Sequence, residues 1–127
     1  MISRSIKHEI AYKTYRRKQA GECGFCQAYA ESGEQVVKIY NSMMILRNKF
    51  PYVRWDGWKV GEHLMIVPIR HITTLRELSI EEEDDFMTLM AEYDEAGYSF
   101  YHRSHGNKSK SMPHIHGHLI KPREARA

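Results

Sequence analysis

The sequence predicts an α+β domain: an antiparallel five-stranded sheet with one long helix packed on it and a second helix at the N-terminus. Three observations carry the prediction. Short β-branched or apolar runs flank tight polar turns, a capped amphipathic helix begins near residue 79, and residues 114–120 place histidines at strand period. The order helix, hairpin, strand, helix, two strands separates the helices from an antiparallel sheet instead of interleaving them in βαβ units.

Each element has its own signal. Ile2, Ile6 and Ile10 recur every four residues and Tyr15 continues the stripe, with Lys7, Lys13, Arg16, Arg17 and Lys18 mostly elsewhere. Residues 1–20 therefore read as a basic amphipathic helix, docked by its isoleucine face and ended by Gly21. Residues 35–40 and 43–48 read as a hairpin about Asn41-Ser42. A third strand over 63–67 is closed by Pro68, a fourth spans 97–102, and residues 114–120 form the fifth. Ser79-Ile80-Glu81-Glu82 has the form of a capping box, followed by Phe86, Leu89, Met90 and Tyr93 at helical spacing. The acidic run 81–85 complements the dipole of that helix and is assigned no catalysis. Met43, Met44, Met87 and Met90 are expected to fill the core.

Composition narrows the class. The chain of 127 residues fits one domain, 1–127, and 42% hydrophobic with 28% charged residues gives a modest core and argues against disorder. No segment has the apolar length of a secretory signal or a membrane span, so a cytoplasmic protein with no membrane partner is expected. The net charge of +3 admits attraction to phosphate without requiring a nucleic-acid partner.

The chemistry concentrates in His114-Ile115-His116-Gly117-His118. On a strand these three imidazoles share one face at roughly 7 Å spacing, and a core gains little from three rings that each need a donor and an acceptor satisfied. Two readings stay open at the level of the residues: an open zinc site that activates water, or a neutral imidazole that attacks phosphorus while its neighbours stabilise charge. Cys23-Gly24-Phe25-Cys26 supplies two of the four ligands of a structural zinc site and needs two histidines from elsewhere. A redox Cys-X-X-Cys is the alternative, but no βαβ unit precedes it. The polar, basic loop 106–111 offers backbone N–H groups, hydroxyls and ammonium charge to a phosphate.

His114-Ile115-His116-Gly117-His118-Leu119-Ile120 resembles the His-φ-His-φ-His-φ-φ signature of the histidine-triad (HIT) superfamily, with Gly117 in place of an apolar residue. Pro-His-Ile-His-Gly-His resembles a segment of galactose-1-phosphate uridylyltransferases of that superfamily. Residues 46–52, 61–71 and 75–82 resemble the sheet core of its dinucleoside-polyphosphate phosphorylases and hydrolases. With the Cys-X-X-Cys, the resemblance covers about residues 23–122.

The resemblance implies a HIT-like sheet with structural zinc on Cys23, Cys26, His71 and His114. It implies His116 as nucleophile toward an α-phosphorus, with His118 at the phosphate or leaving group and Ser111 beside it. It also implies a nucleoside pocket with Leu46, Asn48 and Phe50, and His63 close to the site. The expected function is hydrolysis of a nucleoside phosphoramidate or dinucleoside polyphosphate through a nucleotidyl-His116. Nucleotidyl transfer or phosphorolysis and a catalytically weak nucleotide or nucleic-acid binder are the alternatives, and relatives commonly form homodimers. Two stretches depart from the pattern. Arg103-Ser104-His105-Gly106 and Ser109-Lys110-Ser111 replace the usual Asn-X-Gly and Gly-Gln-Ser, which offers Arg103 and Lys110 to phosphate. Residues 53–60 form an aromatic insertion loop whose Trp55 and Trp58 stack on a base or pack the insertion onto the domain or a partner.

Overall fold

The structure, a computed structural model, describes residues 5–7, 9–11, 23–107 and 112–126, with side chains to residue 123. The chain builds α1 (Gly24–Glu31), β1 (Val36–Tyr40), β2 (Met43–Arg47), β3 (Arg54–Trp55), β4 (Trp58–Pro68), a short 3-10 helix (Leu75–Glu77), α2 (Ile80–Glu95), β5 (Ser99–Tyr101) and β6 (Gly117–Arg126). All strand pairs are antiparallel, in the order β1-β2-β4-β6-β5, with β3 paired to β4 off that path. The expected five strands are that path, and the two-residue β3 is a sixth.

Burial on both faces explains why β2 and the end of β4 are continuous apolar runs. Met44, Leu46, Met65 and Val67 pack on one face with Phe25 and Ala28 of α1 and with Met112. Met43, Ile45, Leu64, Ile66 and Leu119 pack on the other against Leu89, with Phe86, Met90 and Tyr93 of α2. Met43 and Met44 are core residues as expected, but Met87 is 63% exposed because it lies on the outer face of α2. The N-terminal helix is described only in part. Ile6, Lys7 and Glu9 to Ala11 are helical, but Ile6 and Ile10 are exposed, so those two do not form the docked face expected of them. Ile2 and Tyr15 lie outside the described residues.

Local chemistry places the ends. Asn41 takes a left-handed φ of 50° in the β1–β2 turn, and Asp85 of α2 accepts hydrogen bonds from Ser42 Oγ, Ser42 N–H and Asn41 Nδ2, pinning hairpin to helix. These bonds hold the Asp85 carboxyl below its ordinary range. The capping box of α2 is formed: Ser79 N–H donates to Glu82 and Glu82 N–H donates to Ser79 Oγ. Arg70 reaches the same buried Glu82 at 2.7 Å and, with Ser79, holds its carboxyl below the usual range. Arg70 thereby ties the end of β4, one residue before His71, to the start of the helix.

Two strands exceed their expected bounds. β4 starts at Trp58 rather than 63, and β6 starts at Gly117 rather than 114 and runs on to Arg126. Pro122 is tolerated in β6 where the register against β4 shifts on either side of Val60. The expected loop 53–60 is instead mostly a hairpin. Asp56 and Gly57 both have positive φ, 51° and 77°, the two-residue turn that matches strand twist, and Trp55 pairs with Trp58 across it.

Gly117 answers to packing. A Cβ there would lie 2.2 Å from Cε1 of Phe100, whose ring fills the space that an apolar side chain would occupy. Gly117→Ala is expected to cost about 1–2 kcal/mol, at the lower end for overpacking because Phe100 is partly exposed. Phe100→Ala in the same chain should recover part of that loss. A urea-denaturation double-mutant cycle reads the coupling, and simple additivity of the two losses would contradict this account.

Candidate metal centre and active site

Cys23 stands at the start of α1 and caps that helix, its Sγ accepting the Cys26 N–H at 3.5 Å. One helical turn then brings both sulfurs to the same end of α1. His71 lies three residues past the end of β4 and His114 three residues before the start of β6. The donor atoms of Cys23, Cys26, His71 and His114 all lie within 4.8 Å of one another. Cys23 Sγ is 3.4 Å and Cys26 Sγ 3.6 Å from His114 Nδ1, and Cys26 Sγ is 3.4 Å from His71 Nδ1. Burial, with Cys23 beside it, pushes the Cys26 thiol up to about 11. A coordinating cation reverses that balance, because a metal-bound thiol is deprotonated outright.

The donor set fits a tetrahedral metal ion. His114 is fully buried and its Nε2 lies 2.8 Å from the carbonyl of Pro68. A carbonyl only accepts, so Nε2 carries the proton and the Nδ1 lone pair faces the sulfurs. Orientation of a ligating imidazole by a backbone carbonyl is the usual outer partner of a metal histidine.

The same argument assigns the other histidines. His116 Nδ1 lies 2.9 Å from the carbonyl of His114, so Nδ1 donates and the lone pair is on Nε2. This bond exists because residues 114–116 lie just ahead of the strand: the His114 carbonyl turns to the ring two residues on. The sequence expectation that His114, His116 and His118 share one face of a strand beginning at residue 114 is corrected here. Only His118 lies within β6, and the three rings take different partners. Phe25 of α1 packs edge-on against both His114 and His116, at 5.7 and 4.9 Å between centroids.

His63 and His118 form a chain of fixed polarity. Tyr52 N–H donates to His63 Nδ1 at 3.1 Å, and a backbone N–H cannot accept, so neutral His63 has its proton on Nε2. That Nε2 lies 2.8 Å from His118 Nδ1, which therefore accepts, leaving the His118 proton on Nε2. Both rings are buried. The rings of Tyr52, Trp55 and Tyr101 enclose this pair: Tyr52 lies 4.4 Å from His63 and 5.5 Å from His118, and Trp55 lies 5.5 Å from Tyr52 and 4.8 Å from Tyr101. Trp55 thus packs the insertion onto the domain.

The remaining expected residues divide. Asn48 is beside the site, its Oδ1 accepting from Phe50 N–H at 2.8 Å and its Nδ2 at 3.4 Å from His63 Nε2. Phe50 is half-buried next to it. Leu46 is corrected: it is wholly buried in the core under α1, because its position on β2 faces Phe25 and Met65 rather than open surface. Arg103 donates to Tyr52 Oη at 2.8 Å and lies over the Tyr101 ring, which sets a guanidinium at the aromatic wall beside His118. Ser111 and Lys110 lie outside the described residues. Sequence reasoning missed Tyr52, Tyr101, Phe25 and the Pro68 carbonyl as parts of the site. The period-2 register of β4 against β6 was the available signal, since His63 lies two residues from Met65, the partner of His118.

No family model matches the sequence, and no curated protein matches it. Solved structures do match. A HIT family hydrolase from Clostridium thermocellum superposes with a TM-score of 0.62 at 14% identity, over 84% of this chain and 96% of that one. A HIT family hydrolase from Legionella pneumophila gives 0.57 at 21% identity, over 81% and 95%. A histidine triad nucleotide-binding protein from Candida albicans gives 0.62 at 15% identity, over 83% and 78%. The chain has the fold of the histidine-triad proteins. Among the described residues no helix is long and apolar enough to cross a membrane.

Proposed function

We propose that this chain is a histidine-triad nucleotide hydrolase that works through a covalent nucleotidyl-His116, with structural zinc on Cys23, Cys26, His71 and His114. The observation that carries the reading is the hydrogen bond from His116 Nδ1 to the His114 carbonyl, which puts the lone pair on Nε2. Solved structures of the same fold described as hydrolases and as a nucleotide-binding protein support the substrate class.

In the proposed reaction the His116 Nε2 lone pair attacks the α-phosphorus of a nucleotide derivative. The bond from phosphorus to the leaving group breaks and its electron pair departs with that group, as a phosphate from a dinucleoside polyphosphate or, with a proton taken up from solvent, as an amine from a phosphoramidate. Nδ1–H stays on the His114 carbonyl and shares the positive charge of the phosphorylated ring. His118, fixed by His63 as an Nε2–H donor, stabilises charge on the phosphate oxygens. Water then attacks phosphorus, the P–Nε2 bond breaks, its electrons return to Nε2, and the proton of water leaves to solvent. Asn48 and Phe50 are proposed for the ribose and base, and Arg103, Lys110 and Ser111 for the phosphate. Zinc, when bound, cross-links α1 to the ends of β4 and β6 and neutralises two thiolates.

Stereochemistry at phosphorus tests the covalent step. Hydrolysis in isotopic water of a substrate made chiral at the α-phosphorus is expected to retain configuration, as two in-line displacements must. Inversion would mean direct attack by water and would reject the nucleotidyl-histidine.

A further inference from the structure

The hairpin that departs from the family pattern borders an open cavity of about 420 Å³, lined by Arg54, Lys59, Gly61, Glu62 and Arg123 together with Tyr52 and His63. The geometry points to a second, cationic site in this cavity that binds a phosphate chain.

Two independent observations meet here. First, Arg54 and Lys59 are direct cross-strand partners in the β3–β4 pair. Like charges in that register destabilise a hairpin, and a ligand carrying negative charge between them reverses the sign. Among the described residues neither side chain, nor Arg123, makes an ion pair. Second, Gly61 makes room for the third cation: a Cβ at that position would lie 3.0 Å from Cγ of Arg123, so the arginine stem runs across the bare backbone. The single carboxylate of the lining, Glu62, is engaged by the Tyr98 hydroxyl and pairs in register with Lys121.

Three cations against one engaged carboxylate suit a multiply charged anion. The guanidinium groups present paired N–H donors that match phosphate oxygens. The cavity shares Tyr52 and His63 with the histidine site, and Tyr52 touches His118 from the other side. On the nucleotide reading proposed above, the chain held here is the part of the substrate beyond the reacting phosphorus. Phosphate binding itself stands without that reading.

Tripolyphosphate titrated into the ¹⁵N-labelled protein is the direct probe. Amide shifts are expected at residues 52–63 and 121–123, and Arg54→Ala with Lys59→Ala should weaken the dissociation constant at least tenfold, whereas Arg54→Lys should retain most binding. Arg123→Gln, a change in β6 outside the Arg54–Lys59 pair, should also weaken binding and guards against a defect confined to the β3–β4 turn. Unchanged affinity in the variants, no binding, or shifts confined to residues 114–118 would overturn the proposal. A single-stranded oligonucleotide that binds the same amides more tightly than tripolyphosphate would reassign the site to nucleic-acid backbone and equally overturn it. Absence of tripolyphosphate binding to the unaltered protein, with its nucleotide turnover present, rejects the cavity alone; inversion at phosphorus with tripolyphosphate binding present rejects only the covalent reading.

Discussion

His116→Ala is expected to lower nucleotide turnover by about 10⁴–10⁶-fold, the range for removing a covalent nucleophile, or roughly 5–8 kcal/mol of barrier. Bound metal should be unchanged. The two readouts together discriminate between the readings that the sequence left open. If the triad histidines formed a catalytic zinc site, removing the middle one would release metal along with activity. The four donors that converge are Cys23, Cys26, His71 and His114, and His116 instead addresses the His114 carbonyl with Nδ1. Its Nε2 is therefore the atom whose loss is measured. Near-normal turnover by His116→Ala, assayed with enzyme free of contaminating hydrolase, would remove the nucleophile assignment; loss of metal in a folded variant would remove the division of labour.

The elements that the sequence made legible are those whose signal is local. The capping box at Ser79 and Glu82 and the Asn41-Ser42 turn stand where their side-chain chemistry puts them. Helix α1 was missed because eight residues present too short an apolar stripe, and its start is set by a cysteine cap. The Asp56-Gly57 turn was legible and was passed over: Asp-Gly between two tryptophans is a strong hairpin signal, obscured by reading residues 53–60 as an excess over the family pattern. The polarity of the histidines was not legible at all. It depends on which carbonyl or N–H faces each ring, on Pro68, His114 and Tyr52, and backbone groups carry no mark in the sequence. The same holds for the cation cavity, since Arg54 and Arg123 come to line one cavity through the β3–β4 and β4–β6 pairings and the bare face of Gly61.

Chelation of the metal is expected to destabilise the protein by about 4 kcal/mol when free zinc otherwise stands roughly 1,000-fold above its dissociation constant, a fall of roughly 10–20 °C in Tm for a domain of this size. Cys26→Ser should abolish stoichiometric binding and reproduce the fall without chelator. The ligands come from three separate segments, α1, the loop after β4 and the loop before β6, so a bound ion cross-links parts of the chain distant in sequence. The Cys26 thiol, pushed up to about 11 in the metal-free cluster, must lose its proton to coordinate, so affinity should decline as pH falls. Activity should follow the metal indirectly. On the proposed reading His114 is a metal ligand, and its carbonyl accepts from His116 Nδ1, so release of the metal frees the His116 ring to rotate. Calorimetry with and without chelator, with metal content measured on the same samples, reads each step. A thermal midpoint indifferent to chelator, or Cys26→Ser retaining one zinc per chain, would show that these four residues do not hold the fold together.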